Sequence, residues 1–410
     1  MNASPLDGRR ELGQVTLIGE DRSLYSAPLL SAPEFSRPGV AGQEPRLSSR
    51  ELFAAAHVIP EPFSRTVPGA PAELDWEATL DYRRMLFSWG VGVADAMDTA
   101  QRNMGLDPPA TRELIARSAE AAREERGVLA VGVNTDSRDE SLLSLEEIEA
   151  AYLEQLRFAE EQGAIPVLMS SRHLARAARD GADYRRVYSR VLAEASGPVI
   201  IHWLGEAFDP QLRGYFGSTD WRDAAEVLID ILHAHPDAIR GVKMSLLDAE
   251  AERQVRTRLP EGASMFTGDD FNYVDLIDSD SDGQHSDALL GAFSVLAPNA
   301  SAAVQALDAG RRDLYREILQ PTQQLSRQIF SAPTFYYKTG VAFLSWLNGH
   351  QQAFSMVSGL HSARSLPHLS RIVELAGDCG ALEHPELARE RWHSMLALHG
   401  ADAEGERRTV

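Results

Sequence analysis

The residue of this chain best suited to covalent chemistry is a lysine at a position where lysine is unusual. Only two lysines occur in 410 residues, Lys243 and Lys338, and Lys243 lies within the apolar run 238–245. Burying an unpaired ammonium group is costly, so such a group tends to lose its proton. A neutral amine attacks carbonyl groups, which guanidinium cannot do. A genome that favours arginine would also make lysine scarce, but the position of Lys243 predicts a Schiff-base nucleophile.

Other apolar runs end in polar residues that could line the same site. His202 lies near the end of the fifth run, and its unperturbed pKa of about 6.5 suits it to general acid–base catalysis. Arg172 could bind a carboxylate or phosphate through its forked donors. We predict Lys243 and His202 as catalytic residues and the following as substrate-binding residues: Asp98, Thr99, Asn134, Ser170, Arg172, Asp269 and Asp270. The alternative is that strand ends turn polar on leaving the core, with Asp269 or Asp270 capping a following helix.

The segments that would position these residues alternate between short apolar runs and amphipathic helical patterns. The apolar runs are 52–59, 91–97, 128–133, 164–169, 199–204, 239–244, 264–267 and 288–295. The helical patterns between them are 75–89, 108–126, 145–161, 183–194, 221–234, 249–259 and 271–277. Eight buried parallel strands joined by helices predict an α/β fold, a TIM (β/α)8 barrel with its active site at the carboxyl ends of the strands. A doubly wound open sheet is the main alternative, but no glycine-rich phosphate loop follows the first run.

Two details of this pattern are open to structural test. Residues 287–294 could begin a helix instead of forming the eighth strand. On the sixth strand, the period of two places Gly241 on the face of Lys243, where it would leave space for a substrate beside the amine.

The remaining segments suggest three domains. Residues 1–50 form an N-terminal arm or small hairpin, 51–298 the barrel, and 299–410 a C-terminal helical extension packed on the barrel. The extension contains five helical patterns, at 300–308, 314–328, 334–348, 366–378 and 386–399.

Composition limits the classes of function. A formal charge of −20 argues against nucleic acid or an anionic membrane as a partner. A single cysteine, Cys379, excludes an internal disulfide framework and any multi-cysteine metal site. We find neither a signal-peptide pattern nor a long uncharged apolar stretch, so we expect a cytoplasmic protein. We expect no cofactor and no metal.

The spacing around Lys243 resembles a known superfamily. The run Ile-x-Gly-Val-Lys at 239–243, followed by Gly-Asp-Asp at 268–270, resembles the dihydrodipicolinate synthase and N-acetylneuraminate lyase superfamily of class I aldolases. Segments 74–78, 309–313 and 335–339 are similar to further motifs of these proteins, so the likeness spans residues 52 to about 400. It implies a barrel fold, a Schiff-base role for Lys243, a small carbonyl substrate and a homodimer or homotetramer.

The chain also departs from that family at the residues that determine substrate specificity. The family's carboxylate-binding Gly-Thr-Thr-Gly-Glu loop appears as residues 98–102, of which only Thr99 matches. His202 stands in place of the proton-shuttling tyrosine of the fifth strand, and residues 170–172 replace the family's paired tyrosines. The resemblance therefore implies a divergent, functionally unassigned branch in which pyruvate is not assured as the carbonyl partner.

Two further features have simpler interpretations. The acidic loop 278–283 matches the start of a calcium loop, but Leu289 stands where the bidentate glutamate is required, so a solvated loop is favoured. Lys338 lies on an aromatic helical stripe, which is typical of core or of a subunit contact, and we expect its ammonium group to form a structural salt bridge.

Three functions follow from these observations. The first is a Schiff-base lyase or aldolase acting on a sugar-derived keto acid or a ketose. The second is a metal-dependent isomerase or class II aldolase. It would use Asp95, Asp98, His202, Glu206 and Asp269. The third is a non-catalytic barrel that binds a small molecule.

Overall fold

The computed structural model describes residues 4–39, 47–139, 142–281 and 283–401. Within these residues, eight parallel strands close into a barrel in their order along the chain. They are β3 (Leu52–Ala55), β4 (Gly92–Asp95), β5 (Leu129–Val133), β6 (Ile165–Met169), β7 (Val199–Leu204), β8 (Ile239–Ser245), β9 (Ser264–Thr267) and β10 (Asp287–Leu290). The predicted TIM barrel is confirmed.

Helices separate the strands at the seven predicted patterns, and one further short helix, Arg172–Ala177, was not predicted. They are α1 (Trp76–Ser88), α2 (Pro108–Glu125), α3 (Leu145–Glu161), α4 (Arg172–Ala177), α5 (Gly181–Leu192), α6 (Trp221–Ala234), α7 (Ala249–Arg256) and α8 (Tyr273–Ile277). Helix α3 begins with a capping box between Ser144 and Glu147, which fixes its start. In the described part of the chain, no helix is long and apolar enough to cross a membrane.

The eighth strand is shorter than the apolar run predicted for it. Strand β10 ends at Leu290, and helix α9 (Phe293–Asp308) begins three residues later. The run 288–295 was therefore wrong as a single strand. Its second half is the first turn of a buried helix, and an apolar run does not separate these two states by itself.

Apolar side chains of the strands fill the interior of the barrel. The buried cluster consists of Phe53, Ala55, Ala94, Met97, Ala130, Val167, Met169, Ile200, Phe266 and Leu289. Residues two positions further along a strand face the same way. His202 therefore follows Ile200 on the inner face of β7.

By internal contacts the chain forms two compact units, one of residues 50–56 and 91–291 and the other of 1–49, 57–90 and 292–410. The second unit contains an antiparallel hairpin, β1 (Glu11–Ile18) and β2 (Leu24–Leu30). Its C-terminal helices are α9, α10 (Arg312–Leu319), α11 (Thr322–Ile329), α12 (Tyr337–Leu347), α13 (Leu366–Asp378) and α14 (Pro385–Leu398). The three-domain division given by the sequence stays a prediction.

Within that second unit, the hairpin packs against the last two helices. The indole Nε1 of Trp392 on α14 donates to the carbonyl of Thr16 at 2.8 Å. The amide of Ile18 donates to Oγ of Ser370 on α13 at 2.9 Å. The predicted N-terminal hairpin therefore belongs to the same packed unit as the C-terminal helices.

Candidate active site

Lys243 lies on the inner face of the barrel near the carboxyl end of β8. It is paired with His202 on β7 and with Phe266 on β9, and Phe266 belongs to the interior cluster. The side chain is 4% exposed. Burial lowers the pKa of Lys243, and the negative charges of Asp98 and Asp270 oppose that shift only in part. The neutral, nucleophilic form of the amine is therefore reached at a lower pH than in an ordinary lysine.

His202 is completely buried beside it. Its Nε2 lies 3.2 Å from Oγ of Ser245, two residues beyond Lys243 on β8. Its Nδ1 is buried with no hydrogen-bond partner among the described residues. Burial, followed by the positive charge of Lys243, lowers the pKa of His202 well below its ordinary value, against the raising effect of Asp98. The imidazole is neutral at pH 7, and with the proton on Nε2 its Nδ1 is a proton acceptor.

Asp98 and Asp270 are the predicted residues whose charges act on Lys243. Asp98 lies with Thr99 in the short 3-10 turn Asp98–Ala100 after β4, and Asp270 follows β9. All three are buried. The structure thus gathers two carboxylates, one amine and one imidazole at the carboxyl end of the barrel.

Asp269 has a different environment from Asp270. Its Oδ1 accepts from the backbone amides of Phe271 at 2.9 Å and Asn272 at 3.1 Å, and its Oδ2 accepts from the side chain of Asn272 at 2.8 Å. These bonds hold the turn that leads into α8. Asp269 therefore stabilises the turn, while the N-cap position of α8 is Asn272, so the helix-capping role considered from the sequence is wrong for Asp269.

Ser170 and Asn134 are both bonded to the backbone at strand ends. Oγ of Ser170 donates to the carbonyl of His202 at 3.0 Å and accepts from the amide of Leu204 at 3.2 Å. Oδ1 of Asn134 accepts from the amide of Thr135 at 2.7 Å. Ser170 therefore fixes the end of β7, the strand that carries His202.

Arg172 begins α4, a helix absent from the sequence prediction. Its Nε donates to Oδ2 of Asp209 at 2.7 Å, and both side chains are buried. Arg172 and Asn134 line a cavity of about 240 Å³ at the ends of β5 and β6. The other lining residues are Asn103, Leu106, Thr135, Asp136, Arg138, His173 and Arg176. Lys243 is not among the residues lining this cavity.

Gly241 does not provide the space that the sequence suggested. A Cβ built on Gly241 would lie 2.2 Å from the carbonyl oxygen of Ser264 and 2.8 Å from the ring of Phe266. Neighbouring atoms already occupy the position, so the expectation of a substrate space there is wrong. Gly268 lies closer to the amine, since its Cβ would be 3.2 Å from Cε of Lys243 and 2.1 Å from Oγ of Ser245.

Sequence reasoning missed an ion pair formed by Arg102, in the loop of residues 98–102. This loop stands in place of the carboxylate-binding segment of the family resembled. The guanidinium of Arg102 pairs with both carboxylate oxygens of Asp136 and donates to the carbonyls of Ala96 at 3.1 Å and Gly132 at 2.9 Å. Burial alone would raise the pKa of Asp136, but the charge and hydrogen bonds of Arg102 lower it overall. Arg102 therefore joins the loop to the end of β5.

Ser245 and Glu252 were also missed. Ser245 could have been found, because it lies two residues after Lys243 and so shares its face. Glu252 gave no signal, because an acidic residue on an amphipathic helix is ordinarily exposed. It is buried, accepts hydrogen bonds from Thr267 at 2.9 Å and Ser286 at 2.8 Å, and burial raises its pKa to about 8.

The residues suggested for a metal-dependent enzyme do not converge. Asp95 points away from the inner face and accepts a hydrogen bond from Ser118 on α2. Glu206 lies outside at the surface, 3.6 Å from Arg213. Among the described residues, no group of three or more acidic, histidine or cysteine side chains could hold a metal ion.

The two features set aside in the sequence have identifiable partners. In the acidic loop, Asp280 forms ion pairs with Arg256 and Arg253, whereas Asp282 lies outside the described residues. Nζ of Lys338 donates to the carbonyl of Phe335 at 3.3 Å and lies 4.3 Å from the ring centroid of Tyr337. Lys338 is held in an aromatic environment by these contacts.

Comparison with solved structures places the fold among dihydrodipicolinate synthases. The synthase of Aquifex aeolicus superposes with a TM-score of 0.62 at 14% identity, over 81% of this chain and 99% of that one. A putative dihydrodipicolinate synthetase from Pseudomonas aeruginosa gives 0.60 at 16% identity, over 81% and 99%. The synthase of Bacteroides thetaiotaomicron gives 0.60 at 14% identity, over 80% and 99%. The predicted resemblance is confirmed at the level of the fold.

Within that fold class, the sequence defines a more specific group. Residues 16–401 match the family described as "Protein of unknown function (DUF993)". The chain therefore belongs to this family. No curated protein matches the chain.

Proposed function

We propose that this protein is a Schiff-base-forming lyase or aldolase acting on a small carbonyl compound, with Lys243 as the nucleophile. The observation that carries the proposal is a buried amine at the carboxyl end of a barrel strand, paired in register with a buried histidine. In TIM-barrel enzymes the catalytic side chains lie at this end of the barrel.

The reaction would begin when the neutral amine of Lys243 adds to the substrate carbonyl carbon. The carbinolamine hydroxyl takes up a proton and leaves as water, and the product is a protonated imine, which is an electron sink. A base removes the proton from the hydroxyl on the β carbon, the bond between the α and β carbons breaks, and its electron pair forms an enamine. An aldehyde leaves, the enamine is protonated on the α carbon, and water releases the second product from Lys243.

His202 is our candidate for the proton transfers. Its neutral imidazole has one nitrogen against Ser245 and the other without a partner among the described residues. A group of this kind can accept the hydroxyl proton and return it to the enamine carbon.

The charges around the amine favour a polyhydroxylated substrate over a simple 2-oxo acid. Asp98 and Asp270 both act on Lys243. Carboxylates accept hydrogen bonds from sugar hydroxyls and repel a substrate carboxylate. Arg102, in the loop that binds the substrate carboxylate in the family resembled, is already paired with Asp136. Between the two substrate classes considered, a ketose therefore fits better than a keto acid.

Reductive trapping tests this proposal. The protein would be incubated with sodium cyanoborohydride and, separately, with dihydroxyacetone, a panel of ketoses, sugar-derived 2-oxo acids and pyruvate. We expect a mass increment on the peptide that contains Lys243. Because the chain has only two lysines, Lys338→Arg is a matched control that should keep the adduct, whereas Lys243→Arg should lose it.

Two outcomes would contradict the proposal. One is a folded protein that forms no adduct on Lys243 with any of these compounds. The other is a lyase activity that persists in Lys243→Arg and is abolished by EDTA, which would favour the metal-dependent alternative. Binding of a sugar without any adduct would favour the non-catalytic barrel.

A further inference from the structure

A second cavity lies in the unit that does not contain Lys243. It has a volume of about 450 Å³, within the range of roughly 300–1,000 Å³ common for small-molecule sites. Its walls are largely apolar and are formed by Trp346, Phe354, Leu366, Leu369, Met395 and Leu398. Leu398 is 87% exposed, so the apolar lining continues to the surface.

The hydrogen bonds of two arginines in this lining all go to backbone carbonyls. Arg364 Nη2 donates to the backbone carbonyls of Ser331 at 2.8 Å and Pro333 at 3.1 Å. Arg391 Nη1 donates to the carbonyls of Trp346 and Gln351. Among the described residues, no carboxylate pairs with either guanidinium. The charge of Glu390 acts on Arg391 without forming an ion pair, so two positive charges in a largely apolar cavity favour an anion.

Buried polar atoms at this cavity that lack a hydrogen-bond partner in the described residues also favour an anionic ligand. Arg364 Nε and His361 Nδ1 are buried and have no hydrogen-bond partner in the described part of the chain. Burial lowers the pKa of both groups. A buried donor without an acceptor is costly, and native proteins seldom keep one without a reason. A ligand oxygen beside Arg364 would satisfy that donor.

We propose that this cavity binds a small amphipathic monocarboxylate. Its carboxylate would lie between Arg364 and Arg391, and an apolar chain or ring of about eight to ten carbons would contact Trp346, Phe354 and Leu369. This binding site is separate from the proposed lyase function, and neither depends on the other. The positive charges select an anion over an alcohol of the same size, and the aromatic walls select an apolar anion over inorganic phosphate.

Calorimetric titration of the full chain with decanoate tests the proposal, with 1-decanol and inorganic phosphate as comparison ligands. We expect saturable one-to-one binding of decanoate, at least tenfold tighter than of either comparison ligand. Arg364→Gln and Arg391→Gln should each weaken decanoate binding tenfold or more. Arg371→Gln removes an exposed arginine of α13 outside the cavity and should leave the affinity unchanged.

A second variant keeps the test valid if the arginine variants fold poorly. Ser394 is an exposed residue that lines the cavity on α14, and Ser394→Trp would fill the space without removing a charge. We expect it to abolish decanoate binding with an unchanged circular dichroism spectrum. Equal affinities for decanoate and 1-decanol, or unaltered affinity in Ser394→Trp, would overturn the proposal. The proposal would also be overturned if the protein were a dimer that does not bind decanoate and that Ser394→Trp dissociates. A second copy of the chain would then occupy the cavity.

Discussion

His202 and Lys243 are paired neighbours on adjacent parallel strands, and each is buried. Burial favours the neutral form of both groups, and the charge of Lys243 further lowers the pKa of His202. The imidazole is therefore neutral near pH 7, and the amine loses its proton at a lower pH than an ordinary lysine does. In the proposed reaction, Lys243 supplies the nucleophile and His202 the proton acceptor.

The rate of adduct formation at Lys243 should report its lowered pKa. Only the neutral amine reacts, so the trapping rate should rise with pH and level off at a lower pH than it would for an ordinary lysine. Asp98→Asn should shift this profile to lower pH, because the charge of Asp98 raises the pKa of Lys243. Initial rates of cyanoborohydride-trapped adduct, measured by mass spectrometry, check both expectations. Asp223→Asn, at an exposed carboxylate, is the control, and a shift of Asp98→Asn to higher pH would contradict the assignment.

Replacing His202 should separate imine formation from proton transfer. His202→Gln should slow turnover roughly 100- to 10,000-fold, the usual contribution of a general acid–base group, while the adduct with Lys243 still forms. Proton exchange at the α carbon of the bound substrate in heavy water, followed by NMR, measures the step directly. His233→Gln changes an exposed imidazole and should have no effect. Normal exchange in His202→Gln would show that another group moves the proton.

The eight strands and Lys243 were predictable because their signals are local. Runs of four to seven apolar residues mark buried strands, and caps such as Ser144 fix the starts of helices. The surroundings of Gly241 and Asp269 were not predictable in the same way. Whether a glycine leaves space depends on a side chain from the next strand, here Phe266. Whether an aspartate caps a turn or binds a ligand depends on backbone geometry.

The ion pair of Arg102 was also not predictable from the sequence, and it leads to a prediction about stability. Arg102→Ala would leave the largely buried carboxylate of Asp136 without its charged partner, and removing one partner of a buried pair typically costs about 3–5 kcal/mol. The double variant Arg102→Met with Asp136→Leu should lose less than the single one, because no uncompensated charge remains. Urea unfolding of the three proteins measures these differences. A loss below about 1 kcal/mol for Arg102→Ala would indicate that the pair is solvated.

Glu252 should make the protein less stable as pH rises through neutrality. An unfolded glutamate has a pKa near 4.5, whereas burial raises the folded pKa to about 8. Between these values the folded state keeps a proton that the unfolded state has released, so unfolding releases a proton and higher pH favours it. The free energy of unfolding should fall by roughly 3–5 kcal/mol between about pH 4.5 and 8 from this group.

The variant Glu252→Gln isolates that contribution from the effect of the overall negative charge. Between pH 5 and 8, its unfolding free energy should change less than that of the native protein. The difference between the two changes should equal the contribution attributed to Glu252. Glu226→Gln, at an exposed residue of α6, should keep the native slope. Identical slopes for Glu252→Gln and the native protein would mean that Glu252 is ionised in the folded state.

Gly241 and Gly268 should respond differently to the same added methyl group. In Gly241→Ala the methyl would meet the backbone of Ser264 and the ring of Phe266, so we expect a loss of about 1–3 kcal/mol or more in unfolding free energy. In Gly268→Ala it would displace the hydroxyl of Ser245, which contacts His202, and crowd Cε of Lys243. Small displacements of reacting groups can reduce rates about 100-fold. Gly268→Ala should therefore lose far more trapping rate at Lys243, relative to its loss of stability, than Gly241→Ala does. Parallel losses in both variants would show that the surroundings of the amine do not position it for reaction.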